Sequence, residues 1–244
     1  MVFLGACRRI AGALTKRRRK GGYIAVAVVV VLPVGLLAHP LSVAAKCQPG
    51  RSNNGVVYVD GFARSNGGAP VTGVWSSILN YSPWVQPGSS VLGLVALFDQ
   101  IGSDYAFIGW REDAGGQRET WWQWNGPYSS GYGHGTAQPV GQHTNYTVYD
   151  SNANFTFQVA SQTVDTESPG FSPVSANVYG EIETLADQMP GAVQAPEDWN
   201  PANAYLNGGW TGLNGGLWWN QGPWYYNKIS SQQYETADAA CTGT

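Results

Sequence analysis

An all-β fold, an antiparallel β-sandwich or jelly roll of the concanavalin-like kind, is what this sequence predicts. Three observations carry the prediction. Nearly every periodic stretch alternates with period two rather than with the 3.6 of a helix. The alternating stretches are rich in Val, Tyr, Trp, Phe and Thr, and clusters of Gly, Asn, Pro and Ser separate them. No window of a dozen residues carries a convincing helical stripe. Short, regularly spaced strands of this kind bury themselves as two facing sheets.

The strands follow in order. GVVYVDGF (55–62), VTGVWSSILN (71–80), SVLGLVALFD (90–99), DYAFIGWRE (104–112) and RETWWQWN (118–125) form a first run. TNYTVYD (144–150), ANFTFQVA (153–160), VSANVYGEIETL (174–185), AYLN (204–207) and SSQQYETA (230–237) continue it. Two segments break the pattern. GPYSSGYGHGTAQPVGQH (126–143) reads as a Gly-rich surface loop. Residues 190–224 hold five of the eleven tryptophans among glycines and prolines, and read as a long irregular crossing with short strands in it. There is no internal repeat.

Residues 1–45 stand apart. Seven of the 13 Lys and Arg lie within the first 20 residues, and an uncharged apolar run from Gly22 to Ala38 follows. Small residues at Val43, Ala44 and Ala45 then suit cleavage before Lys46. Basic, apolar and small-residue regions in that order describe a signal peptide. An uncleaved anchor is the alternative, since the apolar run is at the lower length limit for crossing a bilayer. Either way residues 46–244 are expected outside the cytoplasm, as one sandwich domain: secreted, or anchored by a single span. All 16 Asp and Glu fall after Lys46 but only six Lys and Arg do, so this domain carries a formal charge near −10. Such a surface repels phosphates, so a nucleic acid is not an expected partner. No other segment suits a membrane, and the oligomeric state is left open. Cys47 and Cys241 are the two cysteines of the domain, one near each end. One even pair in an oxidising compartment predicts a disulfide between them.

Chemistry-bearing residues are few. His134 and His143 lack the close spacing of a metal pair, so no metal or cofactor is expected. No G-x-S-x-G is present, which argues against a serine triad. Asn80, Asn145 and Asn154 open formal glycosylation sequons. The stretch VYGEIETLADQMPG (178–191) draws more interest. Alternation puts Tyr179, Glu181 and Glu183 on one strand face and Val178, Gly180 and Ile182 on the other. An acid peptidase needs one group to activate water and another to hold or protonate the tetrahedral intermediate. Glu181 suits one such role. Alternatively it pairs with Arg111 or Arg118 and fixes the sheet.

Six short motifs, in order from Gly73 to Asn207, resemble the neprosin family of glutamic peptidases. They are GVWSSILNYSPWVQPGSSV, YAFIGW (105–110), WWQWNG (121–126), ANFTFQV (153–159), VYGEIETLADQMPG and NAYLN (203–207). The resemblance implies a sandwich related to the scytalidoglutamic-type acid peptidases, with two catalytic side chains on one concave sheet. Glu181 matches the glutamate of the family's G-G-E-V. The second position, two residues before Gly-Trp, is Phe107 here, and phenylalanine neither takes a proton nor bonds an oxyanion. Glu183, Gln158 and Gln123 are the possible stand-ins. Tyr105, Arg111, Tyr179, Trp122 and Trp124 are expected in the groove, with Trp210 and Trp218 on a further aromatic surface. Next to Glu181, a phenyl ring would raise its pKa and Arg111 would lower it.

Three functions are therefore carried forward. One is a catalytically impaired glutamic-peptidase homologue that binds peptide or glycan in its groove. Another is an active acid endopeptidase with a rearranged carboxyl or amide pair. The third is a carbohydrate or cell-wall binding module built on the Trp-rich segment.

Overall fold

β-branched and aromatic residues at alternate positions give strands one apolar face, and the described residues form sixteen strands in two sheets. The computed structural model describes residues 46–56, 58–65, 70–100, 102–219 and 224–242, the side chains of 58–65 and 217–219 excepted. The expected leader of residues 1–45 and the side chain of Trp218 lie outside the described residues. The strands are β1 (Tyr58–Ser65), β2 (Val71–Leu79), β3 (Ser90–Phe98), β4 (Tyr105–Asp113), β5 (Arg118–Asn125) and β6 (Ser130–Gly135). Next come β7 (His143–Ser151), β8 (Asn154–Val159), β9 (Gln162–Glu167), β10 (Ser175–Ile182) and β11 (Gly191–Ala192). The last are β12 (Ala195–Leu206), β13 (Gly209–Gly212), β14 (Gly216–Trp219), β15 (Trp224–Lys228) and β16 (Tyr234–Asp238).

Seven strands make the first sheet, in the order β14-β1-β10-β3-β4-β5-β6, every neighbouring pair antiparallel. The second sheet runs β15-β16-β11-β12-β2-β7-β8-β9, with β13 added against β12. Its only parallel contact among the described residues is β11 with β16. No helix occurs among the described residues. The predicted all-β sandwich is the observed one.

The core fills the space between the sheets. Trp110, Trp199, Tyr146, Tyr234, Phe155 and Phe157 are fully buried there, among Ile108, Leu97 and Val178. Trp122 and Trp124 belong to this core and not to the groove where the sequence placed them. Alternation along β5 turns 122 and 124 inward and 121 and 123 outward, and Trp122 donates its Nε1–H to Asp165 of β9 at 2.7 Å. These two rings also explain the Gly-rich segment. A Cβ on Gly131 would meet Trp124 at 2.6 Å, and one on Gly133 would meet Trp122 at 2.3 Å. The alternating glycines of SGYGHG are thus one face of β6, lying under the tryptophans of β5. Within the 126–143 stretch read as a loop, Ser130–Gly135 is a strand whose inner face is filled by its neighbour's side chains.

Asn80 is buried, donating to Gln142 O and Thr144 Oγ1 and accepting from Tyr146 Oη, so its sequon is closed to modification. Cys47 and Cys241 form the expected disulfide across a separation of 194 residues. Near it Arg51 pairs with the buried Asp238 and donates to the carbonyls of Leu185 and Asp187. The start of the domain is thereby tied to its last strand and to the loop after β10. Closing so long a loop restricts the unfolded chain strongly. Replacing both cysteines by serine is expected to lower the unfolding free energy by roughly 3–5 kcal/mol in denaturant titration; an unchanged midpoint would show that the cross-link adds nothing.

Candidate active-site trough

The outward face of the first sheet is unusual, because it too is apolar and buried. Leu92, Leu94, Ala96, Phe107 and Tyr179 form a second cluster there, and Phe98, Tyr105 and Trp121 pack against it. Aromatic contacts knit it together: Tyr105 stacks on Phe107 at 5.4 Å, and Phe98 lies 6.4 Å from both Tyr105 and Tyr179. We call this face the trough.

Strand register sorts its residues into rows. Glu181 of β10 is opposite Leu92 of β3, which is opposite Arg111 of β4, which is opposite Glu119 of β5. One step along, Tyr179, Leu94, Gly109, Trp121 and His134 share a row. A further step brings Asn177, Ala96, Phe107, Gln123 and Tyr132 together. Glu181 and Phe107 therefore share a face but not a row. Four residues separate their levels, about 13 Å at ordinary strand rise. Besides Gln123, the row of Phe107 holds Asn177, which sequence reading passed over. It is buried, and its Oδ1 has no hydrogen-bond partner among the described residues. Counting back by two from Glu181 along β10 was the available signal.

Neither arginine neutralises Glu181. Arg111 donates to Glu119 Oε1 at 2.9 Å and lies 4.8 Å over the Trp121 ring, whereas Arg118 sits within the sandwich, 4.9 Å over Trp110. Solvent reaches part of Glu181, but protein encloses it on the trough floor between Tyr179 and Glu183. Its pKa is raised to about 7, first by burial and then by the negative charge of Glu183. No cation is among the causes, so the lowering expected from Arg111 is absent, and Phe107, two rows away, is not the neighbour that raises it. The same surroundings act on the phenols. Burial and the charge of Glu181 raise Tyr179, and burial raises Tyr105 despite the hydrogen bond from Gln123.

The three stand-ins have separate fates. Glu183 lies next to Glu181 and accepts from Ser90 N at 3.0 Å and Ser90 Oγ at 2.8 Å. The loop that carries it is fixed by Asp187, which accepts from the amides of Gln86 and Thr184 and from the Ser89 hydroxyl. Gln123 faces the trough but donates to Tyr105 Oη at 2.6 Å, three strands away from Glu181. Gln158 is on the outer face of the other sheet and bonds Thr163, so it cannot join any reaction at Glu181. Beyond Arg111, Trp121 stacks on the exposed Tyr132 at 4.8 Å. The trough thus offers one neutral acid, a neighbouring carboxyl, an apolar floor and an aromatic wall.

The fold is similar to that of scytalidoglutamic peptidase solved with a peptide-based transition-state analogue. The TM-score is 0.58 at 12% identity, over 78% of this chain and 99% of that one. It is also similar to SCP-B, a member of the eqolisin family of peptidases, in complex with the tripeptide Ala-Ile-His. There the TM-score is 0.57 at 13% identity, over 78% and 99% of the two chains. This likeness establishes a glutamic-peptidase-like fold. No family model matches the sequence, and no curated protein sequence matches it.

A raised carboxyl pKa has a consequence for stability. The fold favours the neutral acid, so its contribution is complete below the ordinary value of 4.5 and is lost as pH rises through about 7. Wild type is expected to lose roughly 2–3 kcal/mol relative to Glu181→Gln over that window, because other buried acids cancel in the difference. Denaturant unfolding of both proteins at several pH values checks this, and a constant difference would contradict it.

Proposed function

We propose that this is an exported, neprosin-like sandwich whose trough holds an extended peptide beside a single proton-bearing acid and cleaves it poorly or not at all. The observation that carries the reading is Phe107. At the place where the family resemblance puts the second catalytic group, a phenyl ring packs into the apolar cluster with Tyr179 and Leu94. Nothing in Glu181's own row replaces the lost group, since Leu92 and a guanidinium engaged by Glu119 fill it.

A neutral Glu181 can donate a hydrogen bond to a peptide carbonyl at acid and near-neutral pH. Hydrolysis also requires a base for the attacking water and a donor for the developing oxyanion, acting on the same carbon. Catalytic groups of this kind work as a unit, and loss of one removes several orders of magnitude in rate. Peptide is favoured as the occupant because the solved structures sharing this fold carry peptide-like ligands in two cases. The apolar floor and the Trp121–Tyr132 wall suit its side chains. The disulfide supports export, since such bonds persist in oxidising compartments. A basic and apolar leader over residues 1–45 agrees with that, whether it is cleaved or retained as an anchor.

One observation favours a second reading, an active pair of Glu181 and Glu183. Adjacent carboxyls can divide acid and base roles, and the charge of Glu183 does raise the pKa of Glu181. Digestion of a denatured protein substrate between about pH 2.5 and 6 separates the two readings. The impaired reading predicts no turnover beyond that of Glu181→Gln. Efficient cleavage abolished by both Glu181→Gln and Glu183→Gln would replace it with the active pair.

A further inference from the structure

The second sheet has a pocket on its own outer face, on the opposite side of the sandwich from the trough. Thr72, Tyr149, Asp150, Gln158, Tyr205 and Trp210 are among its lining residues, and it encloses about 460 Å³. That volume falls in the usual range for small-molecule sites, roughly 300–1,000 Å³.

Its construction follows from two hairpins and one glycine. Asn207 and Gly208 both have positive φ, at 51° and 82°, and form the two-residue turn between β12 and β13. This turn folds β13 back so that Trp210 pairs with Tyr205. Asn152 and Ala153, at 58° and 61°, make the corresponding turn between β7 and β8, which carries Tyr149, Asp150 and Gln158. Between the hairpins runs β2, with Gly73 opposite both Tyr205 and Tyr149. A side chain at 73 would close the floor. Its Cβ would lie 3.0 Å from the far edge of the Trp210 indole and 3.1–3.2 Å from the Cβ atoms of Tyr205 and Tyr149. Instead the indole edge reaches over bare backbone, held edge-on by Tyr205 at 5.2 Å and by Trp75 at 6.5 Å. Trp210 keeps 46% of its surface exposed.

Several polar residues line the same space, among them Asp150 near the end of β7. Thr147 and Gln158 are paired across β7 and β8 and both line the cavity. Among the described residues no lysine, arginine or histidine lines it. An anion would find no counter-charge here, and a large apolar ligand would strand the carboxylate, hydroxyls and amide. A pyranose ring meets both demands: its C–H face packs on an indole, and its hydroxyls bond a carboxylate, an amide and hydroxyls at the rim. We infer that the pocket formed by Trp210, Tyr205, Tyr149, Asp150 and Gln158 over Gly73 binds a neutral sugar unit of an oligosaccharide. This site is independent of the trough and of what the trough does.

Isothermal titration of the folded domain with laminarihexaose, cellohexaose and mannohexaose tests the assignment, together with Trp210→Ala, Gln158→Ala, Asp150→Asn and Glu181→Gln. At least one hexasaccharide is expected to bind saturably. Trp210→Ala should weaken that binding about tenfold or more, the size of effect expected for an aromatic anchor. Gln158→Ala and Asp150→Asn, which leave the hairpin aromatics in place, should each weaken it several-fold. Glu181→Gln should leave it unchanged. Absence of saturable binding for all three sugars at about 10 mM, a weak limit even for small ligands, would overturn the assignment. Undiminished affinity in the Gln158 and Asp150 variants would do the same. Loss of binding in Glu181→Gln alone would place the sugar in the trough and refute a site on the second sheet.

Discussion

A two-sheet sandwich needs only one apolar face per sheet, yet the first sheet here buries side chains on both. The chemistry of the trough depends on that second apolar face. Leu92, Leu94 and Tyr179 have no facing sheet among the described residues, and they are buried by one another and by Phe98, Phe107 and Tyr105. A carboxyl placed on such a floor is poorly solvated, and the neutral form is favoured. Glu181 is that carboxyl. Its proton is retained because of where β10 puts it, with no dedicated partner, and the neighbouring charge of Glu183 adds to the effect.

The fold was largely legible because period two survives in the strands that pack the core. Alternation along β3, β4 and β10 identified the right segments and, for β10, the right faces. It failed where side chains were supplied from elsewhere. The glycines of β6 looked like a loop because Trp122 and Trp124 occupy their inner face from β5. β9, a polar and mostly exposed strand, carries no apolar face to read. In the site, the sequence found Glu181, Tyr179, Tyr105 and Arg111 on one face. Register escaped it, since pairing offsets between β10, β3 and β4 are fixed by loops and long-range contacts. Phe107 and Glu181 were therefore expected to be close neighbours, whereas Asn177 is the β10 residue level with Phe107. Trp122 and Trp124 were placed in the groove because three tryptophans fall within four positions. Only parity decides which of them face inward.

The two outer faces of the sandwich differ in character for physical reasons. The trough of the first sheet is apolar with few polar groups, and its one unusual property is a carboxyl that holds its proton. The outer face of the second sheet is polar, and its aromatic residues are raised on hairpins above the bare backbone at Gly73. The first arrangement suits an extended chain with carbonyls and apolar side chains, and the second suits a ring with hydroxyls at its edge. The Trp-rich segment thus divides between core and surface: Trp199 and Trp224 are buried and Trp210 stands out.

Direct titration of the Glu181 side-chain carboxyl by carbon NMR, in wild type and in Glu183→Gln, bears most closely on the trough. The account predicts a midpoint near 7 that moves down when the neighbouring charge is removed, while remaining above the ordinary 4.5 because burial is the larger cause. A wild-type midpoint at the ordinary value would mean that water reaches this acid freely, and the apolar trough could not then be what governs its chemistry.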